Sequence, residues 1–106
     1  MRQKPDKDSL DLIHHVAVVV PHIRQAVEWY TRTFNCKVSY QDASWASLEF
    51  ANISLALVLP SQHPAPIALS TPEADQFGAL TTHRDGTRSI YIQDPFGNAI
   101  EIVAKE

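Results

Sequence analysis

Ile13-His14-His15-Val16-Ala17-Val18-Val19-Val20 runs into Pro21 and then into apolar residues at helical spacing, Ile23, Ala26, Val27, Tyr30 and Phe34. The first stretch is mostly β-branched and apolar, the composition of a strand covered on both faces. Pro21 breaks it and suits a helix start, and the apolar stripe predicts an amphipathic helix. That helix is expected to close near Asn35, because asparagine tolerates the left-handed conformation that ends many helices. What continues from this strand and helix decides the fold.

Three short β-rich runs follow, Lys37–Gln41, Trp45–Phe50 and Ile53–Leu59, separated by Asp42-Ala43-Ser44 and Ala51-Asn52, which read as tight turns. After a loop holding Pro60, Pro64 and Pro66, the same order of types returns. Ile67-Ala68-Leu69 reads as a strand. Thr71 before Pro72, with Glu73 and Asp75 behind, predicts a short helix reaching about Leu80. Thr81–Thr87, Arg88–Gln93 and Ala99–Ala104 predict three more strands, the last two joined by Asp94-Pro95-Phe96-Gly97-Asn98. The expected class is α+β, with two βαβββ modules over residues 13–59 and 66–104 of one domain, 12–106. Residues 1–11, polar throughout most of their length, are expected to form a loosely docked tail.

A chain of 106 residues with 44% apolar composition can bury one modest core. Cys36 is the single cysteine, so no internal disulfide framework or cysteine-based zinc knuckle can form. A net charge of −3 with scattered lysine and arginine lacks the basic face that nucleic-acid binding needs. No apolar run approaches the roughly 18 residues of a membrane span. The expectation is a soluble cytoplasmic protein with neither nucleic acid nor membrane as a partner.

Strand alternation picks out candidate functional residues. In the last strand Ile100, Ile102 and Ala104 share one face, which leaves Glu101 with Ala99 and Val103 on the other. A carboxylate in so apolar a strand is costly unless paired, hydrogen-bonded or bound to an ion. The same parity in the first strand separates His15, Ala17 and Val19 from Val16, Val18 and Val20. Trp45, Ser47 and Glu49 share a face of the third strand, and Ser89, Tyr91 and Gln93 a face of the seventh.

His15-Val16-Ala17-Val18 leading through Val20-Pro21 into a helix with Trp29-Tyr30, together with Asp94-Pro95-Phe96-Gly97-Asn98-Ala99-Ile100-Glu101, resembles the vicinal oxygen chelate superfamily. That group contains glyoxalase I, extradiol dioxygenases and bleomycin-resistance proteins. The resemblance spans Leu12 to Ala104. It implies βαβββ modules whose mixed sheet curls into a cup, holding a divalent metal such as zinc, iron, manganese, nickel or cobalt on residues of the first and last strands of each module. The ligand positions fall on His15 and Glu101, and the remaining two near Pro66 and Leu55, which carry no side-chain donor. His63, and less readily His83, would be the substitutes.

Two functions follow from the resemblance. One is a metal-dependent isomerase, lyase or dioxygenase acting on a small bidentate-oxygen substrate, with Glu101, Glu49 and Tyr91 assisting proton transfer or orientation. The other is a metal-free small-molecule binding protein of drug-sequestering type, with Trp45, Ser47, Leu55, Leu57 and Tyr91 lining its pocket. A βαβββ-repeat assembly subunit without ligand is a third reading. His15 could equally be an interior histidine bonded to a carbonyl, and Glu101 could pair with Arg84, Arg88 or Lys105. A homodimer is expected, since single-chain relatives often complete their cups between subunits.

Overall fold

A computed structural model describes residues 10–62 and 66–105. His63 and most of the expected amino-terminal tail lie outside the described residues. The chain divides into two compact units, one over His15–Pro66 and the other built mainly from residue 67 onward. Each contains four strands in a mixed arrangement.

In the first unit β1 (Leu12–Val19) leads to α1 (Ile23–Thr33), then β2 (Lys37–Gln41), β3 (Trp45–Glu49) and β4 (Ser54–Val58). The strand order is β2-β3-β4-β1, antiparallel until β1 joins β4 in parallel. Residues aligned across a sheet share a face, so Ala46 with Leu57, Leu48 with Leu55, and Val18 with Leu57 form one apolar surface. The apolar stripe of α1 covers it, burying Ile23 and Val27 against Ala46, Leu48 and Leu57, with Leu55, Val18 and Val20 packed alongside.

The helix stops two residues before Asn35. Its last amide bond runs from the Phe34 N–H to the Tyr30 carbonyl, and Phe34 is already extended, with φ −126°. No described residue other than glycine has positive φ, so Asn35 does not supply a left-handed cap. Phe34 instead packs near Trp29, Tyr30 and Phe50, with ring centroids 5.9, 6.2 and 6.4 Å away. Contact of that half-exposed ring with its aromatic neighbours accompanies the change of direction, a tertiary feature that the local sequence does not display.

The β2–β3 connection is organised by one carboxylate. Asp42 Oδ1 accepts the amides of Ser44 and Trp45 at 2.8 and 3.0 Å and the Ser44 hydroxyl at 2.9 Å. Its Oδ2 accepts the Tyr40 hydroxyl at 2.6 Å, and the Tyr40 ring stacks on Trp45 at 4.4 Å. These donors, the Tyr40 hydroxyl first, hold the Asp42 carboxyl well below the usual carboxylate range.

The second unit runs β5 (Ile67–Thr71), a 3-10 turn (Ala74–Phe77), β6 (Thr81–Thr82), β7 (Arg88–Gln93) and β8 (Ala99–Ala104), in the order β5-β8-β7-β6 with β5 parallel to β8. The helix expected here contracts to that single turn. Thr71 is buried as the last residue of β5, and Gly78, at φ +142°, ends the turn. A Cβ at Gly78 would lie 2.5 Å from Ile90 Cδ1 and force that side chain to shift, and φ +142° would strain any residue that carries a side chain. The sixth strand is also shorter than Thr81–Thr87, because a turn through Asp85-Gly86 interrupts it. No described helix is long and apolar enough to cross a membrane.

Leu57→Ala is expected to destabilise the protein by about 3 kcal/mol in urea unfolding, the typical effect of emptying a fully buried leucine site. The lowered Asp42 carboxyl contributes stability that is present above its unfolded value of about 3.9 and lost as pH falls through the folded one. Asp42→Asn should therefore flatten the fall in melting temperature below about pH 4.

Candidate functional site

The last hairpin positions the site. Asp94 Oδ1 accepts the amides of Phe96 and Asn98 at 2.8 and 2.9 Å, and Oδ2 accepts the Asn98 side-chain amide at 2.9 Å. Those bonds, Asn98 foremost, lower the Asp94 carboxyl below its ordinary value. Gly97, at φ +88°, supplies the left-handed residue that the turn requires. The turn fixes the register of β7 on β8, with Tyr91 opposite Glu101 and Ser89 opposite Val103.

Glu101 is 4% exposed and Ser89 is 1% exposed. The Ser89 hydroxyl donates to Glu101 Oε2 at 2.7 Å, and Tyr91 stands directly opposite Glu101 on β7. His83 Nε2 lies 2.5 Å from Ser89 Oγ and 3.6 Å from Glu101 Oε2. Since the one hydroxyl proton of Ser89 goes to Glu101, Ser89 Oγ accepts from His83 Nε2–H. The buried acid is thus satisfied by a chain of donors that begins at a partly exposed imidazole. Burial first, then the Glu101 charge and hydrogen bond, push the Tyr91 phenol above its usual range, so it keeps its proton.

His83 reaches this position because a tight turn delivers it. Its amide donates to the Thr87 carbonyl at 2.7 Å, and Asp85 Oδ1 accepts the Thr87 amide and hydroxyl at 3.0 and 2.7 Å. His83 is therefore a partner of Glu101, not a solvated loop residue. The Asp85-Gly86 dipeptide, a strong hairpin signal, marks this turn in the sequence.

The other expected site residues lie in the first unit. Register across β3, β4 and β1 sets Glu49, Ser54 and His15 in one row, with Ser47, Ala56 and Ala17 in the next and Trp45, Val58 and Val19 beyond. Trp45, Ser47 and Glu49 do share a face. Leu55 and Leu57 do not share it: they lie on the opposite surface beneath α1, and Leu57 is fully buried there. Their assignment to a ligand pocket is corrected accordingly. A different groove in this unit, about 700 Å³, is lined by Pro21, Ile23, Arg24, Asp42 and Leu59 among others.

The strand register also revises the metal positions. Ala68 pairs with Glu101 as Ala17 pairs with Ala56, so the counterpart of Glu101 is Ala56 and not Leu55. Neither Ala56 nor Pro66 carries a side-chain donor, and Glu101 Oε2 already accepts from Ser89. Among the described residues no three of His, Cys, Asp and Glu group closely enough to hold a metal ion. Of the four implied positions only His15 and Glu101 carry side-chain donors, where such a centre usually takes three or four.

The family model described as the Glyoxalase/Bleomycin resistance protein/Dioxygenase superfamily matches residues 12–75. A hypothetical protein from Bacillus halodurans C-125 superposes with a TM-score of 0.71 at 14% identity, over 92% of this chain and 96% of the other. A glyoxalase/bleomycin resistance protein/dioxygenase superfamily member from Vibrio splendidus 12B01 gives a TM-score of 0.53 at 9% identity, over 91% and 100%. Such likenesses show the fold alone. No curated protein matches the chain.

Ser89→Ala is expected to cost about 1 to 3 kcal/mol in thermal or urea unfolding, because it leaves the buried Glu101 oxygen without its donor. Ser89→Thr, which keeps the hydroxyl, should retain more of that stability.

Proposed function

This chain belongs to the Glyoxalase/Bleomycin resistance protein/Dioxygenase superfamily, and we propose that within it the protein is a metal-independent small-molecule binding protein. The observation that carries this reading is the state of Glu101, buried and engaged by Ser89. A metal ligand must present a lone pair to the ion, and Oε2 of this carboxylate already accepts from a protein donor. Ala56 and Pro66 support the same reading from the other side, since a centre usually offers three or four protein ligands. Tyr91, at 38% exposure, is the group of this cluster that a ligand can touch. Trp45, Ser47 and Glu49 offer a second contact surface in the first unit.

The catalytic alternative is a divalent-metal isomerase, lyase or dioxygenase using His15 and Glu101. It is favoured by one feature, the row of Glu49, Ser54 and His15, which keeps three polar groups on a single face. A second copy of the chain is the proposed partner, seated on the exposed side chains Trp29, Phe34 and Val38. Sedimentation of the protein and of Trp29→Glu checks it, with a dimer in the first and a monomer in the second.

Elemental analysis of protein purified without chelator decides between the two functions. Substoichiometric metal, unchanged in His15→Ala and in Glu101→Gln, is expected. One metal per chain that is lost in both variants would establish the catalytic alternative in place of this reading.

A further inference from the structure

Ser54 on β4 stands opposite Glu49 on β3, and Ser47 and Trp45 follow Glu49 along the same strand face. Residues that face each other across neighbouring strands lie about 5 Å apart, and alternate residues of one strand about 7 Å. Glu49 is exposed and Trp45, Ser47 and Ser54 are half-buried, so solvent reaches this part of the face. Among the described residues, the Glu49 carboxylate, the Ser47 and Ser54 hydroxyls and the Trp45 indole N–H have no hydrogen-bond or ion-pair partner in the protein. Asp42, at the turn before the same strand, is the opposite case: its carboxylate is fully engaged by Tyr40, Ser44 and Trp45 in holding the fold. Polar groups that the fold does not use therefore gather on one side of β3 and β4.

The ring beside them is held in place. Trp45 stacks on Tyr40 with centroids 4.4 Å apart, and the Tyr40 hydroxyl is tied to Asp42. A fixed indole offers apolar area at little cost in side-chain entropy. A purely apolar ligand covering this face would strip water from the four polar groups and leave each unpaired, which costs affinity. Lys37 stands opposite Glu49 on β2, so the row carries one charge of each sign and does not select an ionic ligand. The complement is a neutral ring with an apolar face and hydroxyl groups on neighbouring carbons. Such hydroxyls can donate to Glu49, exchange bonds with Ser47 and Ser54, and accept the indole N–H. We propose that the face formed by Trp45, Ser47, Glu49 and Ser54 binds a pyranose sugar unit, with the C–H side of the sugar ring against the indole. The inference rests on the small-molecule binding reading and adds the chemical class of the ligand.

Methyl glucoside, methyl galactoside and methyl mannoside are the probes. Each is titrated into the isotope-labelled full chain while NMR follows the backbone amides and the indole N–H signals of both tryptophans, Trp29 on α1 being the internal reference. At least one glycoside is expected to shift the Trp45 indole signal and the amides of Ser47 and Ser54 saturably, and to leave the Trp29 indole signal in place. Glu49→Gln and Ser54→Ala are each expected to weaken that binding about three- to tenfold. Ser47→Ala replaces either variant whose amide spectrum shows loss of the fold. Cyclohexanol, a ring with a single hydroxyl, is expected to bind at least about tenfold more weakly than the best glycoside. Glycosides that shift nothing on β3 and β4, binding undiminished in either variant, or cyclohexanol that binds as tightly as the glycosides overturns the inference. Where the glycosides fail, saturable binding of cyclohexanol, phenol or benzoate leaves the small-molecule reading standing. If none of these probes moves any signal, both readings fall.

Discussion

The register of β7 on β8 is the constraint on which the second unit depends. Side chains alternate across a strand, so a slip of one residue would carry Glu101 to the face of Ile100 and Ile102 and remove it from Ser89 and Tyr91. The Asp94 carboxylate prevents that slip by closing the turn on the amides of Phe96 and Asn98. One exposed acid thus sets the environment of one buried acid. The costly group in the interior is tolerated because an inexpensive group at the surface determines what it meets.

The first unit uses the same device with a different result. Asp42 closes the β2–β3 turn on Ser44 and Trp45, and the strands it aligns bring Ala46, Leu48, Leu55 and Leu57 to one face under α1. Here register serves an apolar core, while in the second unit it serves a polar cluster. The units resemble each other in order of elements and in strand pairing, with β1 parallel to β4 and β5 parallel to β8. They differ in what that pairing aligns: Ala17 with Ala56 in one, Ala68 with Glu101 in the other.

Much of the fold was legible in the sequence. β1, α1 and the strands β2, β7 and β8 stand where hydrophobic periodicity and turn residues put them, because in those segments local preference and tertiary packing agree. The failures have physical causes. The second helix shrank to one turn because Gly78, inside the expected span, takes φ +142° and ends it. Leu55 and Leu57 were misassigned because an apolar run such as Ile53–Leu59 does not show which of its faces lies under a helix, and pairing with β1 and β3 decides it. Alternation did find the face that Glu101 shares with Tyr91 and Ser89. The role of His83 was hidden by reading Thr81–Thr87 as continuous strand, although Asp85-Gly86 marked the break.

His83 follows directly on the shortest of the described strands. β6 contributes two residues, Thr81 and Thr82, paired with Ser89 and Arg88. Stability is not uniform within a domain, and a two-residue edge strand belongs to the part that opens at least free-energy cost. Glu101, by contrast, lies in β8, paired on both sides. The outermost donor of the cluster can therefore detach with its strand while the acid and its serine stay folded, which gives the buried carboxylate a transient route to solvent without global unfolding.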